Sequence, residues 1–489
     1  MSNNVTTVSH LFERIMNSKF IRTILTKGLR KCDKDKRLTL EVALEMYAGI
    51  RKTACAKCSL YYKAVSLILN FAENWFGVSS DKLKELLTIP YYRRALIAVI
   101  KGIALFGARK PFVPGAPFQV VWNVTKACNL RCKHCYESAG SRASNEIGTS
   151  DALRVIKKLA DAGVVILAFS GGEPSIRPDI ETLISYAKSL GFYVAMATNG
   201  TTLTKERVKR LKQAGLEYVQ ISLDGATART HDTFRGIPGA FEKTIQGIKN
   251  AVDAGLFVEI ATTVTKFNLH EIPEIIELAD ELGANWFMAY NFVPIGRGRE
   301  IIDWDLSPEE REYLLKTLLK LRSQYKVELL STAPQYARVA LQMNIKENDA
   351  TLVPTHFYNS KLPGKLQRLA EFIGGCGAGR FYVSIEPNGD IYPCVFFPHD
   401  PEVKIGNILK DNFELLWRHS PLLWALRDKD KLYSPCGDCK YRYVCGGCRA
   451  RAYNYFRNIR APDPGCIYAQ KYWEILKREV AQKQIAVVH

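Results

Sequence analysis

Strand-like and helix-like patterns alternate through the middle of this 489-residue chain, and nothing else in it constrains the fold as strongly. Short apolar runs stand at Gln119–Val124, Val164–Phe169, Tyr193–Thr198, Tyr218–Leu223, Val258–Val264 and Trp286–Asn291. Apolar residues recur at helical spacing near residues 150–161, 178–190, 204–214, 239–254, 270–282 and 307–325. Six such β/α repeats predict a parallel sheet joined by right-handed crossovers. Functional groups on such a sheet gather beyond the C-terminal ends of the strands, which is where Cys128 and Gly171 fall.

The stretch after the first strand is Ala127-Cys-Asn-Leu-Arg-Cys-Lys-His-Cys-Tyr136. Its Cys128, Cys132 and Cys135 have the spacing Cys-x3-Cys-x2-Cys. Three thiolates hold three irons of a 4Fe–4S cube and leave the fourth iron without a protein ligand. A purely electron-carrying cube normally takes four cysteines. The triplet therefore predicts a site where something else binds iron. The competing interpretation is a zinc knuckle short of one ligand, with His134 as the candidate.

Downstream, Phe169-Ser-Gly-Gly-Glu-Pro174 follows an apolar strand-like run. Gly171 and Gly172 permit close backbone approach, and Glu173 offers a carboxylate to a cationic group. Together with the triplet, this segment resembles the radical S-adenosylmethionine (SAM) superfamily over roughly residues 118–300. The resemblance implies an α/β fold, a partial, TIM-like (β/α)6 barrel. It implies a 4Fe–4S cluster whose open iron chelates the methionine end of SAM, with Glu173 holding the amino group. Carried over by position, His134 stands beside the adenine, and Tyr136 follows. Asn199 in Thr-Asn-Gly and Ser222 in Ser-Leu-Asp-Gly lie where ribose is bound, and Arg235 faces the methionine carboxylate. Asn199 as a turn residue and Arg235 as a surface ion pair are the plainer alternatives. His231 is taken as structural, Arg297 in Pro294-Ile-Gly-Arg-Gly298 receives no role, and no catalytic side chain is singled out. The implied chemistry is reductive cleavage of SAM to a 5′-deoxyadenosyl radical, which takes hydrogen from an unactivated carbon.

A second set of cysteines lies at Cys376, Cys394, Cys436, Cys439, Cys445, Cys448 and Cys466. Zinc ribbons are the ordinary use of Cys-x2-Cys pairs. Beside the barrel motifs, however, the set resembles the SPASM extension, which implies two auxiliary Fe–S clusters. By that resemblance Cys436, Cys439, Cys445 and Cys466 hold one cluster. Cys376, Cys394 and Cys448 hold the other, with its fourth ligand unassigned. The ending Val444-Cys-Gly-Gly-Cys-Arg-Ala-Arg-Ala452 is similar to haem-pathway and quinone-cofactor members. Sulfatase-maturing members place an Asp base directly after the second cysteine of the extension, where this chain has Val395, so that activity is set aside.

Residues 1–110 carry 20 Lys/Arg against 8 Asp/Glu, a net +12 of the chain's +19. Helical patterning recurs at Leu11–Met16, Phe20–Leu25, Leu38–Met46, Tyr61–Phe76 and Tyr91–Phe106. The last of these contains Lys101 and falls short of the ~20 residues that span a bilayer. A basic amphipathic region with Trp75, Phe76 and Tyr91 suits an anionic membrane surface, and a helical cap packed on the barrel is the alternative. Cys32, Cys55 and Cys58 are taken as ordinary thiols in preference to a third auxiliary cluster or a mononuclear iron lacking one ligand. The expected division is a basic helical region at 1–110 and a radical SAM core at 118–325, with a connector at 326–375. A SPASM domain at 376–472 and a tail at 473–489 complete it.

Thirteen cysteines, with no secretory pattern at the N-terminus, point to metal or redox ligands in a reducing, low-oxygen cytoplasm. A ferredoxin- or flavodoxin-like protein is the expected reductant; a nucleic-acid partner is not expected, and oligomeric state is not indicated. Three substrate classes compete for a hydrogen abstraction leading to oxidation or to C–C or C–S coupling. A membrane lipid ranks first, because the basic helices suit anionic headgroups and superfamily members couple lipid chains into tetraethers. Peptide modification is common among SPASM enzymes, but residues 1–110 lack the strand pair of their peptide-binding winged helix. Tetrapyrrole tailoring fits the Cys-x2-Cys ending and a basic chain, since tetrapyrroles carry several carboxylates. A plain Fe–S electron carrier has no use for Glu173 or an open iron.

Overall fold

The computed structural model describes residues 13–76, 79–347, 350–354, 359–363 and 369–477. Seven strands follow one another in chain order: β1 (Gln119–Asn123), β2 (Ile166–Ser170), β3 (Tyr193–Thr198), β4 (Tyr218–Ser222), β5 (Phe257–Val264), β6 (Trp286–Asn291) and β7 (Glu328–Ser331). All pair in parallel, with Asn123 opposite Ser170 and Ser222 opposite Ala261. The connecting helices cover the sheet because each carries an apolar stripe. The Thr149–Ala162 helix buries Val155, Ile156 and Leu159, and the Ile180–Ser189 helix buries Leu183, Ile184 and Ala187. These side chains join Val120, Trp122, Leu167, Phe169, Val194 and Met196 of the strands in one continuous core.

The structure departs from the sequence expectation in three places. Residues 326–375, expected as a connector, supply β7 at the sheet edge and the Gln335–Gln342 helix. They also form a small antiparallel sheet of β8 (Lys346–Glu347), β9 (Ala350–Pro354) and β10 (Asn359–Pro363). These strands have 2 to 5 residues, too few for alternation to register. The cysteine-rich segment continues the main sheet. β11 (Tyr382–Ile385) pairs in parallel with β1, and β12 (Asp390–Tyr392) and β13 (Gly406–Asn407) add antiparallel, giving ten strands. Finally, a polar helix, Ala228–Arg235, stands between β4 and β5. Thr227 caps it by accepting from Thr230 N, and Gly236, at φ 74°, ends it.

The N-terminal region forms helices at Lys19–Gly28, Thr39–Tyr47, Ala56–Phe76, Ser80–Thr88 and Pro90–Phe106. Leu11, the side chains of Trp75 and Phe76, and residues 478–489 of the expected tail lie outside the described residues. No helix among the described residues is long and apolar enough to cross a membrane. Several cations of this region are engaged within the protein. Arg94 donates to Val164 O at 2.9 Å and Leu190 O at 2.5 Å, and Lys101 donates to Ala162 O at 3.2 Å and Glu414 at 3.3 Å. Lys110 meets Glu371 at 2.7 Å, Arg22 donates to Ala104 O and Leu105 O, and Arg93 is buried against Leu87 O. Tyr91 packs edge-on against Tyr193 of β3, with centroids 5.1 Å apart. Through Arg94, Lys101 and Lys110 the region is fastened to the rest of the chain as a cap, the alternative raised from the sequence.

Candidate active site at the strand ends

Beyond β1 the chain crosses the sheet edge into the cysteine loop. Cys128 N donates to Gly140 O at 2.9 Å, which closes the loop at its base. The Cys128, Cys132 and Cys135 side chains share a small apolar cluster with Leu130, Ile237 and Ala240. Each sulfur faces a donor: Leu130 N is 3.4 Å from Cys128 Sγ, Ala139 N is 3.4 Å from Cys135 Sγ, and Arg235 Nη1 is 3.6 Å from Cys132 Sγ. Burial pushes the Cys128 thiol up to about 12 and raises Cys132 as well. Buried sulfurs fronted by N–H groups hold negative charge stably only around a cation, so the donor set fits an iron cluster.

The Gly-Gly-Glu segment lies directly against this loop. Gly171 has φ 131°, and a Cβ there would fall 2.5 Å from Thr125 O, while a Cβ at Gly172 would collide with Ala127 O. Their absence lets Gly172 N reach Thr125 O at 2.7 Å and Glu173 N reach Ala127 O at 2.8 Å. Glu173 is fully buried. Its Oε1 accepts from Ser175 N at 3.0 Å, from the Ser175 hydroxyl and from Thr198 Oγ1 at 2.7 Å, and Oε2 accepts from Asn199 N at 2.7 Å. Oε1 is saturated, whereas Oε2 retains one acceptor site. Burial raises the Glu173 pKa against the pull of these donors.

Asn199 braces the end of β3 to the cysteine loop. Its Nδ2 donates to Asn129 Oδ1 at 2.8 Å and its Oδ1 accepts from Thr201 N at 3.0 Å, so the amide is committed to protein partners. Ser222 stands half-buried at the end of β4. His134 lies flat on Phe234, with centroids 4.2 Å apart and Nε2 3.7 Å from Asp224 Oδ2. Burial and the nearby Arg235 hold its pKa well down, so it is neutral. Tyr136 shares a hydroxyl contact with Ser170 Oγ at 3.1 Å and donates to Asn123 Oδ1 at 3.3 Å.

Arg235 is not at the surface. Its Nη2 is 2.6 Å from Asp224 Oδ2, and both residues are buried. Burial works against the guanidinium charge, and Asp224 with Cys132 more than offsets it. The surface ion-pair alternative therefore gives way to a buried pair set behind Cys132. Asp224, quoted in the sequence only as part of Ser-Leu-Asp-Gly, is the partner that pattern reading missed. His231 lies buried beside the pair: its Nδ1 accepts from Asp224 N at 3.2 Å, and burial lowers its pKa to about 3. Arg297, without a role from sequence, clamps the cysteine loop by donating from Nε to Cys132 O at 2.9 Å and from Nη1 to Ala139 O at 2.7 Å.

Another group had no sequence signal at all. Asn123 Nδ2 donates to Glu137 Oε1 at 2.8 Å and to Glu386 Oε1 at 3.1 Å, and His399 Nε2 lies 3.3 Å from Glu386 Oε1. Burial, then the Glu386 carboxylate, pushes the Glu137 pKa well up. The β1–β11 pairing brings these residues together across more than 200 positions, which no spacing rule reaches. Phe396 packs edge-on against Tyr136 and Tyr290 at the same place.

The seven C-terminal cysteines fall into two neighbourhoods. Cys445 lies near Cys466 and Cys436, and Cys436 near Cys439, whereas Cys448 lies near Cys376 and Cys394. Backbone N–H groups of Tyr441, Gly447, Arg451 and Phe396 each point at one sulfur at 3.4 Å. Tyr382 Oη donates to Cys394 Sγ at 2.8 Å. Burial raises the Cys394 and Cys466 thiols to about 12. As at the first site, such sulfurs suit a metal load.

Residues 122–279 match the radical SAM superfamily model, and residues 376–440 match SPASM, an iron-sulfur cluster-binding domain. The chain is 39% identical over 355 residues to the AdoMet-dependent heme synthase of Methanosarcina barkeri, spanning 72% of this chain and 97% of that protein. It is 33% identical over 356 residues to the mycofactocin maturase MftC of Mycobacterium tuberculosis, spanning 72% and 83%. Streptococcus suis SuiB bound to S-adenosylmethionine shares the fold, with TM-score 0.59 and 19% identity over 84% of this chain and 87% of that one. The cofactors are accordingly a 4Fe–4S cluster with SAM, together with auxiliary Fe–S clusters. The chain belongs to the radical SAM superfamily, in the SPASM-bearing group that includes heme synthases and mycofactocin maturases.

Proposed function

We propose that this radical SAM enzyme tailors a tetrapyrrole of the haem pathway, with iron coproporphyrin as its substrate. The observation that carries the proposal is the 39% identity to an AdoMet-dependent heme synthase across 97% of that protein's length. A Fe-coproporphyrin III synthase of the same organism, 31% identical over 360 residues, points to the same substrate class. The lipid substrate ranked first from sequence is withdrawn, because these relatives favour a tetrapyrrole or a peptide. The mycofactocin maturase relationship keeps peptide modification as the second reading.

In this proposal Cys128, Cys132 and Cys135 hold the SAM-binding cluster, and Glu173 takes the methionine ammonium on the free site of Oε2. When bound, that cofactor pair supplies a 5′-deoxyadenosyl radical able to take hydrogen from an unactivated carbon. Arg235, held charged by its pairing with Asp224, stands beside the Cys132 sulfur and faces the methionine carboxylate from there. His134 and Tyr136 line the adenine side, and Ser222 the ribose side, where Asn199 braces the end of β3 against the cysteine loop. Gly171 and Gly172 keep the Glu173 loop pressed on the cysteine loop. Burial and the neighbouring Glu386 favour the neutral form of the Glu137 carboxyl against the pull of Lys126 at 4.0 Å, and the partly exposed His399 stands beside the pair. Cys436, Cys439, Cys445 and Cys466 hold one auxiliary cluster, and Cys376, Cys394 and Cys448 hold the other. A ferredoxin- or flavodoxin-like protein delivers the electron in a reducing cytoplasm.

The test offers iron coproporphyrin, small peptides and membrane lipids in parallel to the reconstituted enzyme with SAM and reductant under anaerobic conditions. Mass spectrometry is expected to show a mass change in the porphyrin alone. A modified peptide or lipid beside an intact porphyrin would overturn the proposal.

A further inference from the structure

Outside the stretches matched by the two family models, the loop between the Lys19–Gly28 and Thr39–Tyr47 helices folds back on itself. Cys32 N donates to Arg37 O at 2.7 Å, Lys36 N donates to Cys32 O at 2.8 Å, and Lys36 takes the left-handed conformation at φ 57°. This knuckle places Cys32 and Asp35 against the start of the Ala56–Phe76 helix, where Cys55 and Cys58 stand. Three sulfurs and one carboxylate oxygen there all lie within 4.8 Å of one another.

The separations suit one ion. Cys32 Sγ is 3.4 Å from Cys55 Sγ and 3.6 Å from Asp35 Oδ2. Sulfur and oxygen ligands arranged tetrahedrally around a single zinc stand about 3.6–3.8 Å apart. The sulfur pair is too far apart for a disulfide, whose bond is ~2.05 Å. It is also too close for two corners of a cube, whose terminal sulfurs are spread by the iron atoms between them. The surroundings complete the site. Arg51 pairs with Asp35 Oδ1, leaving Oδ2 turned toward Cys32, and Cys58 N points at Cys55 Sγ at 3.5 Å. Cys32 and Cys58 are buried with Val42.

We infer that Cys32, Asp35, Cys55 and Cys58 bind one zinc ion that staples the N-terminal cap. The sequence offered three cysteines and no fourth ligand; the knuckle supplies Asp35. Four protein ligands close the ion's coordination, the mark of a structural zinc site. The need for a staple is visible in the small core between these helices, built on Leu40, Leu44, Tyr47, Val65, Leu87 and Ile97.

The test uses the full-length protein, purified anaerobically with zinc supplied and its Fe–S clusters reconstituted. Metal analysis is expected to find about one zinc per chain beside the cluster iron. Zinc-edge X-ray absorption is expected to show three sulfur neighbours at ~2.3 Å and one oxygen at ~2.0–2.2 Å. Cys55→Ser and Cys58→Ser should each lower bound zinc at least tenfold while the iron content holds. Asp35→Cys should keep the zinc and convert its shell to four sulfurs, a check that stands even if the serine variants misfold. Wild-type protein without zinc, a Cys32–Cys55 disulfide, or a loss of about four irons in Cys55→Ser would each overturn the inference.

Discussion

The cysteine loop after β1 and the Cys32 cluster each gather three thiols, yet they build sites of opposite kinds. The loop draws Cys128, Cys132 and Cys135 from one short stretch at the strand ends and sets a buried arginine behind them. The N-terminal cluster draws its sulfurs from two separate segments and closes on a carboxylate oxygen. Cysteine number therefore says little about use. The presence of a fourth protein ligand distinguishes an iron left open for chemistry from an ion closed for structure.

The most severe way to test this contrast is Cys132→Ala. Formation of 5′-deoxyadenosine should fall by more than about a hundredfold, because a direct ligand outweighs its supporting contacts. An equal loss of that product in Cys55→Ser would break the contrast. Asp224→Ala strips the buried Arg235 of its counter-charge and should destabilise the barrel by about 3–5 kcal/mol in anaerobic urea unfolding. A cost under about 1 kcal/mol would mean that the pair does not anchor the loop.

A gentler probe lies in the sheet interior, where burial raises the Glu259 carboxyl from 4.5 to about 7. The folded form then binds a proton that the unfolded chain has released. Stability should fall as pH rises from about 4.5 to about 7 and stay level above, a loss of about 3 kcal/mol from this group. Glu259→Gln should remove that slope in unfolding curves at a series of pH values, and a slope that persists would place its origin elsewhere. Smallest is Arg94→Ala at the seam between cap and barrel, which removes donors to Val164 O and Leu190 O. It should cost about 1–2 kcal/mol. Limited proteolysis should cut residues 1–110 sooner while the barrel midpoint holds; unchanged cutting would show that the cap is held by its other contacts.

Regular periodicity made much of the barrel legible: β3 and β6 stand at the residues expected from their apolar runs. Ala228–Arg235 escaped notice because a short polar helix has no apolar stripe to betray it. β11 escaped because its four residues gain meaning only beside β1. The same reason hid the Glu137–Glu386–His399 group and the Asp224 partner of Arg235, which are products of tertiary contact. Asp35 shows the limit most plainly. A lone aspartate three residues from a cysteine carries no signal until the loop turns it toward Cys55 and Cys58.

The most direct test of the central claim follows hydrogen from substrate to cofactor. Iron coproporphyrin deuterated on its side chains is incubated anaerobically with SAM, reductant and the reconstituted enzyme, and the 5′-deoxyadenosine is analysed by mass spectrometry. The proposed function predicts deuterium in the 5′-deoxyadenosine and a matching change in the porphyrin. Unlabelled 5′-deoxyadenosine beside an intact porphyrin would contradict it.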